Sequence, residues 1–132
     1  MKGILVDTSI VIDFLRQKDK DQTVLVNLEK SSHQLFVSII THTESYSGKS
    51  IWERKEAMEA LKLVLSSKKI LPIDEKISEK AGEIRAKYDK HLGDAVVAAT
   101  ALYHKLELAT LNIKDFKKIS GLKLLSNLTR GF

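Results

Sequence analysis

Cysteine is absent from the chain, which excludes at once a disulfide scaffold, thiolate-bound zinc, a redox dithiol and a cysteine nucleophile. A single proline and six glycines leave little material for linkers or low-complexity loops, so regular elements joined by short connections are expected. Aromatic residues make up only 6%, too few for extended base stacking. Long apolar runs are missing as well: the longest uncharged, mostly apolar run, residues 95–102, falls far short of the ~20 residues that span a bilayer. At the start, Met1-Lys2-Gly3-Ile4-Leu5-Val6 is cut by Asp7 before the ~7–15-residue apolar stretch of a signal peptide accumulates. A soluble, unprocessed, cytoplasmic protein without membrane contact is expected. No Gly-rich phosphate loop or dinucleotide fingerprint occurs, so no nucleotide cofactor is expected.

What is present suits one folded unit. The 132 residues are 43% apolar, enough for one core, and residues 1–132 are read as a single domain on a prior of ~100–200 residues per domain. The net charge of +5 is unevenly placed: residues 1–66 carry nine basic and nine acidic groups, residues 67–132 thirteen and eight. A contact with a polyanion is therefore expected in the second half.

The patterning alternates strands and helices. Residues 4–6 form a short apolar run closed by Asp7-Thr8-Ser9, which can cap a helix carrying Ile10, Val11, Phe14 and Leu15. Val24, Leu25 and Leu28 keep helical spacing, and Leu35-Phe36-Val37 reads as a second buried strand. Residues 39–47 read as helical, followed by a longer helix whose apolar stripe is Trp52, Met58, Leu61 and Leu65. Residues 70–72 form a third strand, and Ile77, Ala81, Ile84 and Tyr88 mark an amphipathic helix starting near Asp74. A small-residue helix over 93–103, a fourth strand over 106–110, a helical turn over 112–118 and a last strand over 122–125 complete the pattern. Such alternation predicts a three-layer α/β/α fold around a mainly parallel sheet. Ligands of such sheets bind beyond the carboxyl ends of the strands, where strand order reverses.

Four carboxylates stand out from the solvated majority. Asp7 directly follows the first strand, though a helix N-cap explains it equally well. Glu44 lies just after the second strand in an otherwise uncharged stretch, and Asp115 just beyond the fourth. Asp94 opens Gly93-Asp94-Ala95-Val96-Val97-Ala98-Ala99, a helix apolar enough to be buried; it is either an N-cap or a charge needing a partner, since an unpaired buried carboxylate is prohibitive. One sheet edge can gather all four. Carboxylates so crowded repel, and a divalent cation relieves the repulsion. Oxygen ligands alone favour Mg²⁺ or Mn²⁺ over zinc. Such a site activates water and screens charge developing on a phosphate, so the acidic site beside a basic flank suggests phosphodiester hydrolysis.

The run Leu5-Val6-Asp7-Thr8-Ser9, then Glu44, then Leu92-Gly93-Asp94-Ala95-Val96-Val97-Ala98-Ala99-Thr100-Ala101, then Thr110-Leu111-Asn112-Ile113-Lys114-Asp115-Phe116 resembles the PIN-domain ribonucleases, above all the VapC toxins of type II toxin–antitoxin modules. The likeness runs over essentially the whole chain. It implies that Asp7, Glu44, Asp94 and Asp115 are the acidic metal ligands and catalytic residues, with Ser9 and Asn112 as supporting or substrate-side groups. It further implies a PIN-like fold, Mg²⁺ or Mn²⁺ dependence, cleavage of single-stranded RNA (tRNA, rRNA or mRNA), a homodimer, and inhibition by a VapB-like antitoxin. The family often carries Ala where Gly93 stands, which gives the helix start here more freedom.

Other chemistries fit less well. Asp7-Thr8-Ser9 is similar to the start of a haloacid-dehalogenase phosphatase, but the second Asp that chemistry needs is Ser9. His33, His42, His91 and His104 show no metal-binding spacing. Lys68-Lys69, Arg85 with Lys87, Lys90 and His91, and Lys117-Lys118 read as solvated faces, whereas Lys114, next to Asp115, is expected to grip the RNA backbone. Trp52 is either core or part of a groove for an antitoxin segment. The remaining alternatives are a PIN-like nuclease of RNA maturation and a catalytically silent module that binds nucleic acid or protein.

Overall fold

In a computed structural model, residues 3–125 are described. Ile4, Leu5 and Val6 are fully buried, as an apolar run covered on both faces must be. They form β1 (Gly3–Val6), the inner strand of a parallel sheet. It pairs on one side with β2 (Gln34–Ser38) and on the other with β4 (Glu107–Ala109), while β3 (Lys69–Leu71) lies outside β2, giving the order β3-β2-β1-β4. Strands accumulate in one direction from β1 to β3, and the fourth then returns to the far side of β1. Strand order therefore reverses between β1 and β4, which opens a crevice at their carboxyl ends.

Alternation along the strands splits the core into two layers. Ile4, Val6, Leu35, Val37 and Ala109 face α1 (Thr8–Arg16), α2 (Val24–Lys30) and α5 (Lys55–Ser66). Leu5, Leu71 and Leu108 face α6 (Glu75–Tyr88) and α7 (Leu92–His104). Between β2 and α5 run α3 (Ile39–Ser45) and the short α4 (Lys49–Glu53). After β4 comes the one-turn α8 (Ile113–Phe116). The α/β/α layering expected from the alternating pattern is present. No helix among the described residues is long and apolar enough to cross a membrane.

Three expectations need correction. The helix read through Trp52 and Met58 breaks at Arg54, whose extended backbone (φ −122°, ψ 120°) separates α4 from α5. Trp52 is consequently 70% exposed, with its indole N–H donating to the Tyr46 carbonyl at 2.7 Å, and Ile51 takes the buried position on α4. The last strand, 122–125, shrinks to one parallel bridge between Leu108 and Leu124, because β4 is itself only three residues long. Lys68 is no surface cation: its buried side chain pairs with Glu29 at 2.5 Å and donates to the Val64 carbonyl at 3.0 Å.

Candidate active site

Asp7 stands one residue past β1, at the reversal point, and is only 4% exposed. Its amide donates to the Ala109 carbonyl across β4 at 2.9 Å, so the backbone pairing of the two central strands fixes its position. Its Oδ2 accepts from Ser9 Oγ at 2.7 Å, from Thr110 Oγ1 at 2.8 Å and from the Ser9 amide at 3.4 Å. Asp7 is thus the N-cap of α1 through one oxygen, while Oδ1 is left free of these bonds, as a site that needs an available carboxylate oxygen requires. Each hydroxyl is oriented in turn by an amide, Ser9 Oγ by Leu111 and Thr110 Oγ1 by Asn112, each at 3.0 Å. A carboxylate that accepts several donors is held in one orientation.

Glu44 arrives from β2. Ser38 ends that strand and caps α3 by accepting from the Ile40 amide at 3.2 Å, and α3 then carries Glu44 to the same crevice. There Thr8 Oγ1 donates to Glu44 Oε1 at 2.6 Å, and Thr41 Oγ1 lies 3.0 Å from the Thr8 hydroxyl. The other side of the carboxylate rests against Gly93 on α7.

Asp94 lies in the first turn of α7 and is half-buried; the N-cap of that helix is His91, not Asp94. From Ala95 to Ala101 the helix is buried throughout, which pins its amino end under the crevice. Burial pushes the Asp94 carboxyl above the usual range, the charges of Asp7, Asp115 and Glu44 push it further, and only His91 pulls the other way. Asp7, Asp115 and Glu44 are therefore each within electrostatic reach of Asp94. Asp115 is exposed on α8, which the fully buried Phe116 anchors beneath α7. Asn112 and Lys114 are exposed on the same rim. Among the described residues, no three acidic or imidazole side chains are drawn together closely enough to form a ready ligand set.

Sequence reasoning missed Thr110 and Thr8. A usable signal existed for the first: Thr110 directly follows β4 as Asp7 follows β1, so it occupies the matching place across the reversal point. For Thr8 there was none, because its partner Glu44 is reached only through α3.

A groove of about 230 Å³ opens beside Glu44, lined by Ile12, Leu15, Arg16, Ile51, Arg54 and Ala57 among others. It runs between α1 and the α4–α5 pair.

Residues 4–122, the span that builds this parallel sheet and its flanking helices, match the family profile described as PIN domain. Ribonuclease VapC10 of Mycobacterium tuberculosis is 33% identical over 125 residues, covering 91% of this chain and 90% of the relative. A toxin–antitoxin complex from Klebsiella pneumoniae contains a chain of 34% identity, with a TM-score of 0.70 and coverage of 90% and 94%. The DNA-bound VapBC from Salmonella typhimurium shares the fold at a TM-score of 0.78, with 22% identity and coverage of 95% and 98%. The chain belongs to the PIN-domain family and, within it, to the VapC ribonucleases.

Proposed function

We propose that this ribonuclease is a metal-dependent endonuclease toxin in which Asp7, Glu44, Asp94 and Asp115 hold Mg²⁺ or Mn²⁺ and water attacks a phosphodiester of single-stranded RNA. The observation that carries this is the Asp7 carboxylate held at the reversal point of the sheet by Ser9 and Thr110, with Glu44 held by Thr8 and lying against Gly93, the residue before Asp94. An all-oxygen donor set with excess negative charge fits a hard divalent cation. When bound, the cation lowers the pKa of a water and neutralises charge on the attacked phosphate. The protein contributes position. Asp7 is locked by Ser9 and Thr110, Glu44 by Thr8, and Asp94 by the buried helix behind it. Lys114 and Asn112, exposed on the rim beside Asp115, meet the RNA backbone there. A VapB-like antitoxin inhibits the enzyme by laying a segment along the groove that ends at Glu44, where apolar side chains and Arg16 and Arg54 are available. A homodimer completes the assembly that the family likeness implies.

The test is cleavage of total cellular RNA by the purified chain with Mn²⁺ against EDTA, with Mn²⁺ binding followed by calorimetry. Discrete fragments in Mn²⁺ alone are expected. No cleavage in either lane, together with no Mn²⁺ heat, would instead indicate a silent binding module.

Thr110→Val keeps the shape of the side chain but removes both the donor to Asp7 and the acceptor of the Asn112 amide. The cleavage rate is expected to fall about 10- to 100-fold, the usual effect of losing a group that orients a ligand. A rate within a factor of two of wild type would show that Asp7 is held sufficiently by Ser9 alone.

A further inference from the structure

Glu44 is gripped from two sides. Thr8 Oγ1 donates to its Oε1 at 2.6 Å, and its carboxyl group occupies the space in which a side chain at Gly93 would begin. A methyl group on Gly93 would stand 2.5 Å from Glu44 Oε2, 3.2 Å from Cδ and 3.5 Å from Oε1. Those are its three nearest heavy atoms, so Glu44 is the obstacle and the rest of the packing is not. Gly93 is the second residue of α7, within the helix rather than in a turn that demands glycine. Neither backbone conformation nor helix propensity favours glycine there; an alanine would be the better helix former. Where the family often carries Ala, this chain has a bare Cα, and here the Glu44 carboxylate lies against it. The location is also favourable for charge, since a carboxylate against the first turn of a helix meets the positive end of its dipole, and His91 makes no side-chain cap bond there.

We propose that Gly93 is a positioning residue for RNA cleavage: its bare Cα seats the Glu44 carboxylate against α7 opposite the Thr8 hydroxyl, presenting Glu44 to Asp94 in one orientation. Because the residue next along the helix is Asp94, this seat sets the spacing between two of the four acids. It rests on the reading of the crevice as a metal-dependent nuclease centre, and the experiment separates the two.

Gly93→Ala, Glu44→Ala and the double variant are compared with the wild-type chain in three measurements. Melting in EDTA comes first and needs neither metal nor activity. With Glu44 truncated, Gly93→Ala is relieved of its close contacts with the carboxylate and should raise Tm, as alanine does inside a helix. With Glu44 intact, the gain should vanish or reverse. The second measurement is Mn²⁺ affinity by calorimetry, expected to fall about 10-fold in Gly93→Ala and no further when Gly93→Ala is added to Glu44→Ala. The third is cleavage kinetics, in which kcat should drop in Gly93→Ala with KM little changed, as for a group that positions rather than binds substrate. An equal rise in Tm in both backgrounds, with unchanged Mn²⁺ affinity and kcat, overturns the proposal. If the wild-type chain neither binds Mn²⁺ nor cleaves, the nuclease reading fails, and the melting comparison by itself decides whether Gly93 seats Glu44.

Discussion

Asp94→Asn is expected to lower RNA cleavage roughly a thousandfold, a loss of about 4 kcal/mol of transition-state stabilisation, while raising the melting temperature of the metal-free protein. The two effects have one origin. Burial and the charges of Asp7, Asp115 and Glu44 oppose ionisation of Asp94, so at neutral pH the folded state carries a carboxylate it would hold more easily as a neutral group. Asparagine supplies the neutral group, and with it the cation loses a charged ligand. The sign with pH follows from linkage. A carboxyl whose folded pKa is raised adds stability below its unfolded pKa of ~3.9, and that contribution is lost as pH rises through the folded value. The Tm advantage of Asp94→Asn in EDTA should therefore be largest at neutral pH and shrink toward zero as pH falls below ~3.9. Mn²⁺ should raise the Tm of the wild-type chain and leave that of the variant nearly unchanged, since only a ligand that binds the folded state stabilises it. Melting curves across pH, with and without Mn²⁺, read all of this. Full cleavage by Asp94→Asn, or a Tm below wild type at neutral pH, would remove Asp94 from the centre.

Phe116→Ala should be the most destabilising of the substitutions considered, at about 3–5 kcal/mol, with Tm falling on the order of 10 °C or more. Phe116 is fully buried in the layer between the sheet and helices α6 and α7, so truncation leaves a cavity that a close-packed interior fills poorly. The consequence reaches the site. One turn of helix has no stability of its own, and α8 keeps its place only because Phe116 and the nearby Ile119, 4% exposed, are sunk into that core. Asp115 precedes Phe116 directly. Cleavage should consequently drop even at temperatures where the variant is folded, as judged by far-ultraviolet circular dichroism. Urea unfolding measures the first effect, and an RNA assay well below Tm measures the second. A loss under 1 kcal/mol would mean that α8 is docked by something other than this side chain.

Much of this centre could be read before any fold was known, because the informative relations are local. Asp7 is adjacent to the apolar run that becomes β1, and Asp94 heads a segment too apolar to lie anywhere but inside. Adjacency along the chain places a residue at a strand end or helix start whatever the rest of the molecule does. The absence of cysteine likewise removes thiolate ligands from any proposed site whatever the fold. By contrast, Arg54 shows no helix-breaking chemistry of its own, so the interruption that turns Trp52 outward was invisible to periodicity. Lys68 looked like half of a surface pair because its partner, Glu29, is far away in sequence.

The sequence by itself determined the alternation of strands and helices and the places of the four proposed acids near element ends. Tertiary structure alone decided that β4 returns beside β1, which brings Thr110 onto Asp7, and that α3 packs against α7, which lets Glu44 settle on Gly93. The reason is physical: strand order and side-chain contact depend on pairing between segments distant in the chain, which local propensity and spacing do not encode.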